Sequence, residues 1–166
     1  MSDIGFPPIL GSKPKVLILG SMPSQKSLSK QQYYGYPQNA FWKIMAKIFE
    51  YPEEFSYSKR TEIVIQHGIA IWDVIHSCVR PGSLDSSIQK DTVIENNIPE
   101  LIEHNPSIKK ILCNGGTAYQ LFQKHFNSWI KNHPEIKLEK LPSTSPAHAS
   151  LNFDQKLMIW SKAIKS

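Results

Sequence analysis

Apolar and polar positions change period several times along the chain. Val16-Leu17-Ile18-Leu19 is an unbroken β-prone run, entered through Lys13-Pro14-Lys15 and stopped by Gly20. Such a run predicts a strand buried on both faces. Positions 21–38 lose this pattern; they hold Pro, Ser, Gln, Gly and three tyrosines and predict a long loop. Loops of that length inside a compact domain usually carry function. Asn39 then stands as the N-cap of a helix whose apolar face includes Phe41, Ile44, Met45 and Ile48. A second helix is expected over 58–67, ending at Gly68, followed by a strand over 69–75 and a polar loop over 76–92 with the turn pair Pro81-Gly82.

The second half repeats this alternation. A helix over 98–104 takes Pro99 in its first turn and is closed by Pro106. A strand over 108–113 breaks at Asn114-Gly115-Gly116, a helix covers 117–126, a fourth strand 136–141 and a terminal helix 151–164. Strands alternating with helices predict an α/β layered domain with a largely parallel sheet. There is no internal repeat and no linker, so residues 1–166 are expected to form a single domain. Ligands of such sheets sit at the carboxyl ends of the strands. The four unusual segments, 20–39, 73–87, 114–117 and 142–149, all fall there.

Composition narrows the function classes. The chain is 40% hydrophobic and 20% charged, and no apolar run approaches the roughly 20 residues that span a bilayer. The segment from Met1 to Gly11 lacks a charged start followed by an apolar stretch, so a cytoplasmic or nucleoid protein is expected. Cys78 and Cys113 are far apart and in no ligand spacing, which argues against a disulfide framework, a metal centre or an iron–sulfur cluster. The histidines show no HxxxH-like spacing. No cofactor is expected. A net charge of +5 suits a polyanionic partner, without requiring one.

The unusual segments carry the candidate chemistry, and each also has a purely structural explanation. Gly20-Ser21-Met22-Pro23-Ser24 matches neither a P-loop nor a GxGxxG fingerprint. Tyr33-Tyr34-Gly35-Tyr36-Pro37-Gln38-Asn39 offers flat rings to an unstacked base, or simply packs the loop down onto a helix cap. Asp73 at a strand end can accept hydrogen bonds from a ligand or cap a loop. Asn114 before two glycines can present its amide to a planar ring or serve the turn. Pro142-Ser143-Thr144-Ser145-Pro146-Ala147-His148 is a stiff hydroxyl-rich loop suited to phosphates, or a surface turn with an incidental histidine.

Taken in order, these segments resemble the uracil-DNA glycosylase superfamily, and most of all its hypoxanthine-DNA (DNA-deoxyinosine) glycosylase branch. Gly20-Ser-Met-Pro-Ser24 is similar to the superfamily's first motif. Tyr34-Gly-Tyr-Pro-Gln-Asn39-Ala-Phe-Trp42 is similar to the aromatic–Pro–Asn–Phe–Trp stretch of the mismatch-specific enzymes. Leu141-Pro-Ser-Thr-Ser-Pro-Ala-His-Ala149 resembles the loop that pinches the DNA backbone. The resemblance covers about residues 16–164. It implies a three-layer α/β/α sandwich around a central four-stranded, largely parallel sheet.

The resemblance also implies roles. Mismatch-specific relatives carry a catalytic Asn where this chain has Met22, which can neither orient nor deprotonate water. Asn39 is then implied as the catalytic residue and Asn114 as a second one, with Gly20, Ser21, Met22, Tyr34 and Asp73 around the flipped base. Ser143, Thr144, Ser145, Ala147 and His148 are implied as DNA contacts. The expectation is a monomeric, monofunctional DNA glycosylase acting on DNA that contains a deaminated base, most of all hypoxanthine. A uracil/thymine mismatch enzyme and a non-catalytic DNA-binding relative are the alternatives.

Overall fold

A computed structural model describes residues 2–166. Its elements are, in chain order, β1 (Ser2–Ile4), β2 (Val16–Gly20), α1 (Gln25–Lys30), α2 (Phe41–Phe49), α3 (Tyr57–Gln66), β3 (Ile69–Asp73), β4 (Ile75–Val79), β5 (Ile94–Glu95), α4 (Ile98–His104), β6 (Lys110–Asn114), α5 (Gly116–Lys131), β7 (Lys137–Leu141) and α6 (Phe153–Lys165). The central sheet has four parallel strands in the order β3-β2-β6-β7.

The run predicted to be buried on both faces is so. Val16 and Ile18 face a core filled by Phe41, Trp42, Ile44 and Met45 of α2, Val64 of α3 and Trp160 of α6. Leu17 and Leu19 face the opposite core, with Ile98 and Ile102 of α4 and Ala118 and Phe122 of α5. Helices on both faces make the three-layer α/β/α sandwich. Period-two alternation in one strand thus feeds two cores at once.

The 69–75 run is not one strand. It ends at Asp73, and the chain turns along the 20–21 segment, with Val74 N–H bonded to Gly20 O (2.9 Å) and Ile75 N–H to Ser21 O (3.1 Å). Residues 75–79 then form β4, paired antiparallel with β1 and β5 in a second, small sheet. The 76–92 segment is therefore partly strand. The long 21–38 loop likewise contains α1, capped by Ser24, whose hydroxyl accepts the Ser27 N–H. The fifth helix runs on to Lys131 past a kink at Phe126. At the start of α2 the N-cap is Ala40, not Asn39. Asn39 stands one residue earlier, and its Oδ1 still takes the Phe41 N–H at 2.9 Å.

Candidate active site

Parallel pairing brings the carboxyl ends of β2, β3, β6 and β7 to one edge of the sheet, at Gly20, Asp73, Asn114 and Leu141. The loops leaving them enclose a cleft of about 700 Å³, within the range of small-ligand sites. All the residues singled out in the sequence line it: Gly20, Ser21, Met22, Tyr34, Asn39, Asp73, Asn114, Ser143, Thr144, Ser145, Ala147 and His148.

Its floor is polar and unsatisfied. Asp73 is 4% exposed, yet no donor among the described residues reaches its Oδ2, and the buried Tyr34 hydroxyl is equally unpartnered. Both close over Gly20, where a Cβ would sit 2.5 Å from Asp73 Oδ1 and 3.1 Å from the Tyr34 oxygen. Only glycine fits that approach. Burial, with the Asp85 carboxylate adding to it, pushes the Asp73 carboxyl up to about 7, against a smaller downward pull from Arg80. Burial also drives the Tyr34 phenol upward, so it stays neutral. Tyr34 adopts φ 53° and stacks on Phe41 with centroids 4.0 Å apart. Its ring is half-buried and borders the cleft.

The two asparagines are held differently. The Phe41 N–H fixes the Asn39 carboxamide at the mouth of α2 and leaves its other polar positions to the cleft. The Asn114 amide is tied at both ends to Thr144: Nδ2 donates to Thr144 Oγ1 at 3.0 Å, and Oδ1 accepts the Thr144 N–H at 2.9 Å. Thr144 is 1% exposed, faces inward, and accepts the Ala40 N–H at 3.0 Å. Asn114 therefore braces the final loop as well as bordering the cleft.

Within that loop the Ser143 hydroxyl accepts the Ser145 N–H and the Ser145 hydroxyl accepts the Ala147 N–H. Each hydroxyl keeps its own O–H to donate outward. Gly115 (φ 96°) sits beneath Ser143. Lys156, unnoticed in the sequence, is 5% exposed under the loop and donates to Ser145 O (3.3 Å) and His148 O (2.7 Å). Desolvation lowers its pKa. Trp160 Nε1 donates to Pro142 O at 2.9 Å, so α6 anchors the loop twice. Only the polar Lys156 amid an apolar helix face hinted at this.

The opposite rim is the 81–87 turn. Gln25 N–H donates to Ser83 Oγ and Gln25 Nε2 to Gly82 O, both at 2.9 Å, while Ser21 Oγ donates to Asp85 Oδ1 at 2.7 Å. Leu84 between these clamps is 58% exposed and lines the cleft. Pro81-Gly82 marked the turn, but nothing in the sequence singled out Leu84. Met22 is buried in an apolar cluster with Ile75 and Cys78. The start of α5, Gly116 and Thr117, presents free N–H groups to the same cleft. Among the described residues no three His, Cys, Asp or Glu side chains could hold a metal ion, and no helix is long and apolar enough to cross a membrane.

The model of the uracil DNA glycosylase superfamily matches residues 7–163. The chain belongs to that superfamily. Two curated relatives are similar to it: a hypoxanthine DNA glycosylase of Methanosarcina barkeri, 35% identical over 69% of this chain and 72% of that one, and a hypoxanthine DNA glycosylase of Methanosarcina acetivorans, 38% identical with the same coverage. A G/U mismatch-specific uracil DNA glycosylase of Schizosaccharomyces pombe is 29% identical over 52% of this chain and 26% of its own length. A solution NMR structure from M. acetivorans, described as that of a candidate uracil DNA glycosylase, superposes with a TM-score of 0.81 at 30% identity, covering 99% of this chain and 98% of that one. The protein is a DNA glycosylase, a hydrolase of N-glycosyl bonds.

Proposed function

We propose that the protein is a monofunctional glycosylase that excises hypoxanthine from deoxyinosine in DNA and leaves an abasic site. The observation that carries this reading is the convergence of Asn39, Tyr34, Asp73 and the 143–148 loop on one cleft whose floor holds unpartnered polar atoms. Two relatives that bear the name hypoxanthine DNA glycosylase lend support. Met22 lends more, because a thioether packed among apolar side chains cannot position water.

Hydrolysis places positive charge on the sugar and negative charge on the departing base. The damaged nucleotide swings out of the stack, at a cost of a few kcal/mol that is smaller for a poorly paired base. Its ring lies on Tyr34, already backed by Phe41. Backbone N–H groups near Gly20–Ser21, with Asp73 and the remaining amide valences of Asn114, hold the edge of the base. Asn39 holds the attacking water. An amide is too weak a base to deprotonate water early, so bond breaking runs ahead of attack and geometry supplies the catalysis. Ser143, Ser145, His148 and the first turn of α5 take the flanking phosphates, with Thr144 holding them in place and Ala147 facing the vacated position. No lysine lines the cleft among the described residues, which favours water over a Schiff-base nucleophile.

The reading is tested with Asn39→Ala. Release of hypoxanthine from an inosine duplex under single turnover is expected to fall by at least about a hundredfold, with duplex affinity within about threefold of wild type. Equal loss of rate and affinity makes Asn39 a binding residue and overturns its assigned role.

A further inference from the structure

A buried carboxyl with no donor on it needs an explanation, because an ionised carboxylate in that position is costly. Asp73 stands at the cleft floor, 4% exposed, with Oδ2 unpartnered, and the Gly20 backbone beneath it leaves no room for any side chain between the two. The other acid bordering the cleft, Asp85, is exposed at the rim and already accepts from Ser21. Of the remaining polar side chains of the site, only His148 is a further proton donor, and it sits on the outer 143–148 loop with Nε2 3.2 Å from Ser150 Oγ; the others are amides and hydroxyls. Asp73, at the cleft floor, is therefore the group placed to give a proton to a base held there. This rests on the glycosylase reading above and adds a step to it.

We propose that Asp73 is the general acid of the reaction, donating its carboxyl proton to the departing purine. As the C1′–N9 bond breaks, its electron pair leaves on the base, and the Asp73 proton passes to a ring nitrogen or O6 of that base. The water held by Asn39 bonds to C1′ through its oxygen and releases one proton, which restores neutral Asp73 directly or through solvent. Deoxyinosine and water thus become free hypoxanthine and an abasic sugar, with no other reactant. The Tyr34 hydroxyl, also unpartnered, accepts or donates a hydrogen bond at the same edge.

The groups facing Asp73 keep it protonated. Asp85 from the 81–87 turn opposes its ionisation, and burial opposes it more strongly. Tyr33 and Tyr34 from the loop before α2 are neutral phenols, themselves pushed up in part by Asp73. Arg80 at the end of β4 pulls the other way, but its guanidinium is turned to Pro23 O and lies 3.6 Å from Asp3. A carboxyl held at about 7 is half protonated at neutral pH, suited to donating a proton.

The experiment measures single-turnover base release between pH 5 and 9.5 by wild type and Asp73→Asn, on duplexes with deoxyinosine or 7-methyl-deoxyinosine. At the acid end of this range, where its N1–H is retained, the methylated base carries positive charge and departs neutral, so it needs no acid there. For deoxyinosine, the wild-type rate is expected to fall about tenfold per pH unit above the Asp73 midpoint. Asp73→Asn is expected to lose that limb and about 10² or more in rate, and to recover to within about tenfold of wild type on the methylated base. A wild-type rate that stays flat to pH 9, or an equal deficit of Asp73→Asn on both bases, overturns the assignment and leaves Asp73 a base-orienting or structural residue. The wild-type profile decides the matter even if the variant fails to fold. Absence of any release by wild type at every pH removes the glycosylase reading itself, and this step with it.

Discussion

Asn114 and Thr144 close on each other from both sides, each giving one donor and one acceptor across the ends of β6 and β7. Thr144 also accepts the Ala40 N–H, so one buried threonine ties the final loop to the residue beside Asn39. A residue type expected on phosphates serves here as the joint between the two halves of the site.

Thr144→Val keeps the shape and removes the acceptor, leaving one Asn114 N–H unpaired. Urea unfolding is expected to show a loss of about 1–3 kcal/mol, the usual cost of a buried polar group without its partner. A variant as stable as wild type shows that the pair is replaced by solvent and does not brace the loop.

Lys156→Met fills the same space without the charge. Two carbonyls, Ser145 O and His148 O, then lose their donor under the 143–148 loop. Affinity for an abasic duplex, measured by fluorescence anisotropy, is expected to weaken by about tenfold, roughly 1.4 kcal/mol. Unchanged affinity means that the loop keeps its form through Trp160 alone.

Much of this was legible in advance, for physical reasons that differ by element. The β2 run announced a doubly buried strand because four successive apolar residues have no solvent face to occupy. The cleft residues were legible because glycines, prolines and polar side chains gather where parallel strands end. The split between β3 and β4 was hidden, since Val74 and Ile75 resume the apolar pattern of residues 69–72 after Asp73 and only pairing with β1 separates the two strands. The six-residue α1 was masked by polar, serine-rich sequence and set by the Ser24 cap. Leu84 was out of reach because its place is set by contacts across long stretches of chain, and Lys156 left only the hint of a polar residue on an apolar helix face.

Leu84 is an exposed apolar side chain held rigid at the rim by Ser83 and Asp85 on either side. Ala147, which also lines the cleft, is too small to fill the gap that a flipped nucleotide would leave, and Leu84 is the exposed apolar side chain of the rim that would serve as a wedge there. Leu84→Ala is expected to slow excision about tenfold or more from duplex DNA and less than about twofold from single strands. Equal slowing on both substrates assigns Leu84 to general support of the cleft.

The Asp73 carboxyl also sets a pH dependence of stability. Its folded-state value is raised from 3.8 to about 7, so the folded protein holds a proton that the unfolded chain has lost between those limits. Stability from this group is present in full below 3.8 and is lost as pH rises toward 7. Asp73→Asn removes the dependence. Urea unfolding at pH 5 and pH 8 is expected to show the variant gaining on wild type by up to a few kcal/mol at the higher pH. The same difference at both pH values contradicts a raised Asp73.

Excision from matched duplexes carrying a single hypoxanthine, uracil or thymine mismatch, each with and without alkali, tests the central claim most directly. The account predicts breaks at hypoxanthine that appear only after alkali, as a free abasic site requires. Breaks at uracil with hypoxanthine left intact, or breaks without alkali, contradict it.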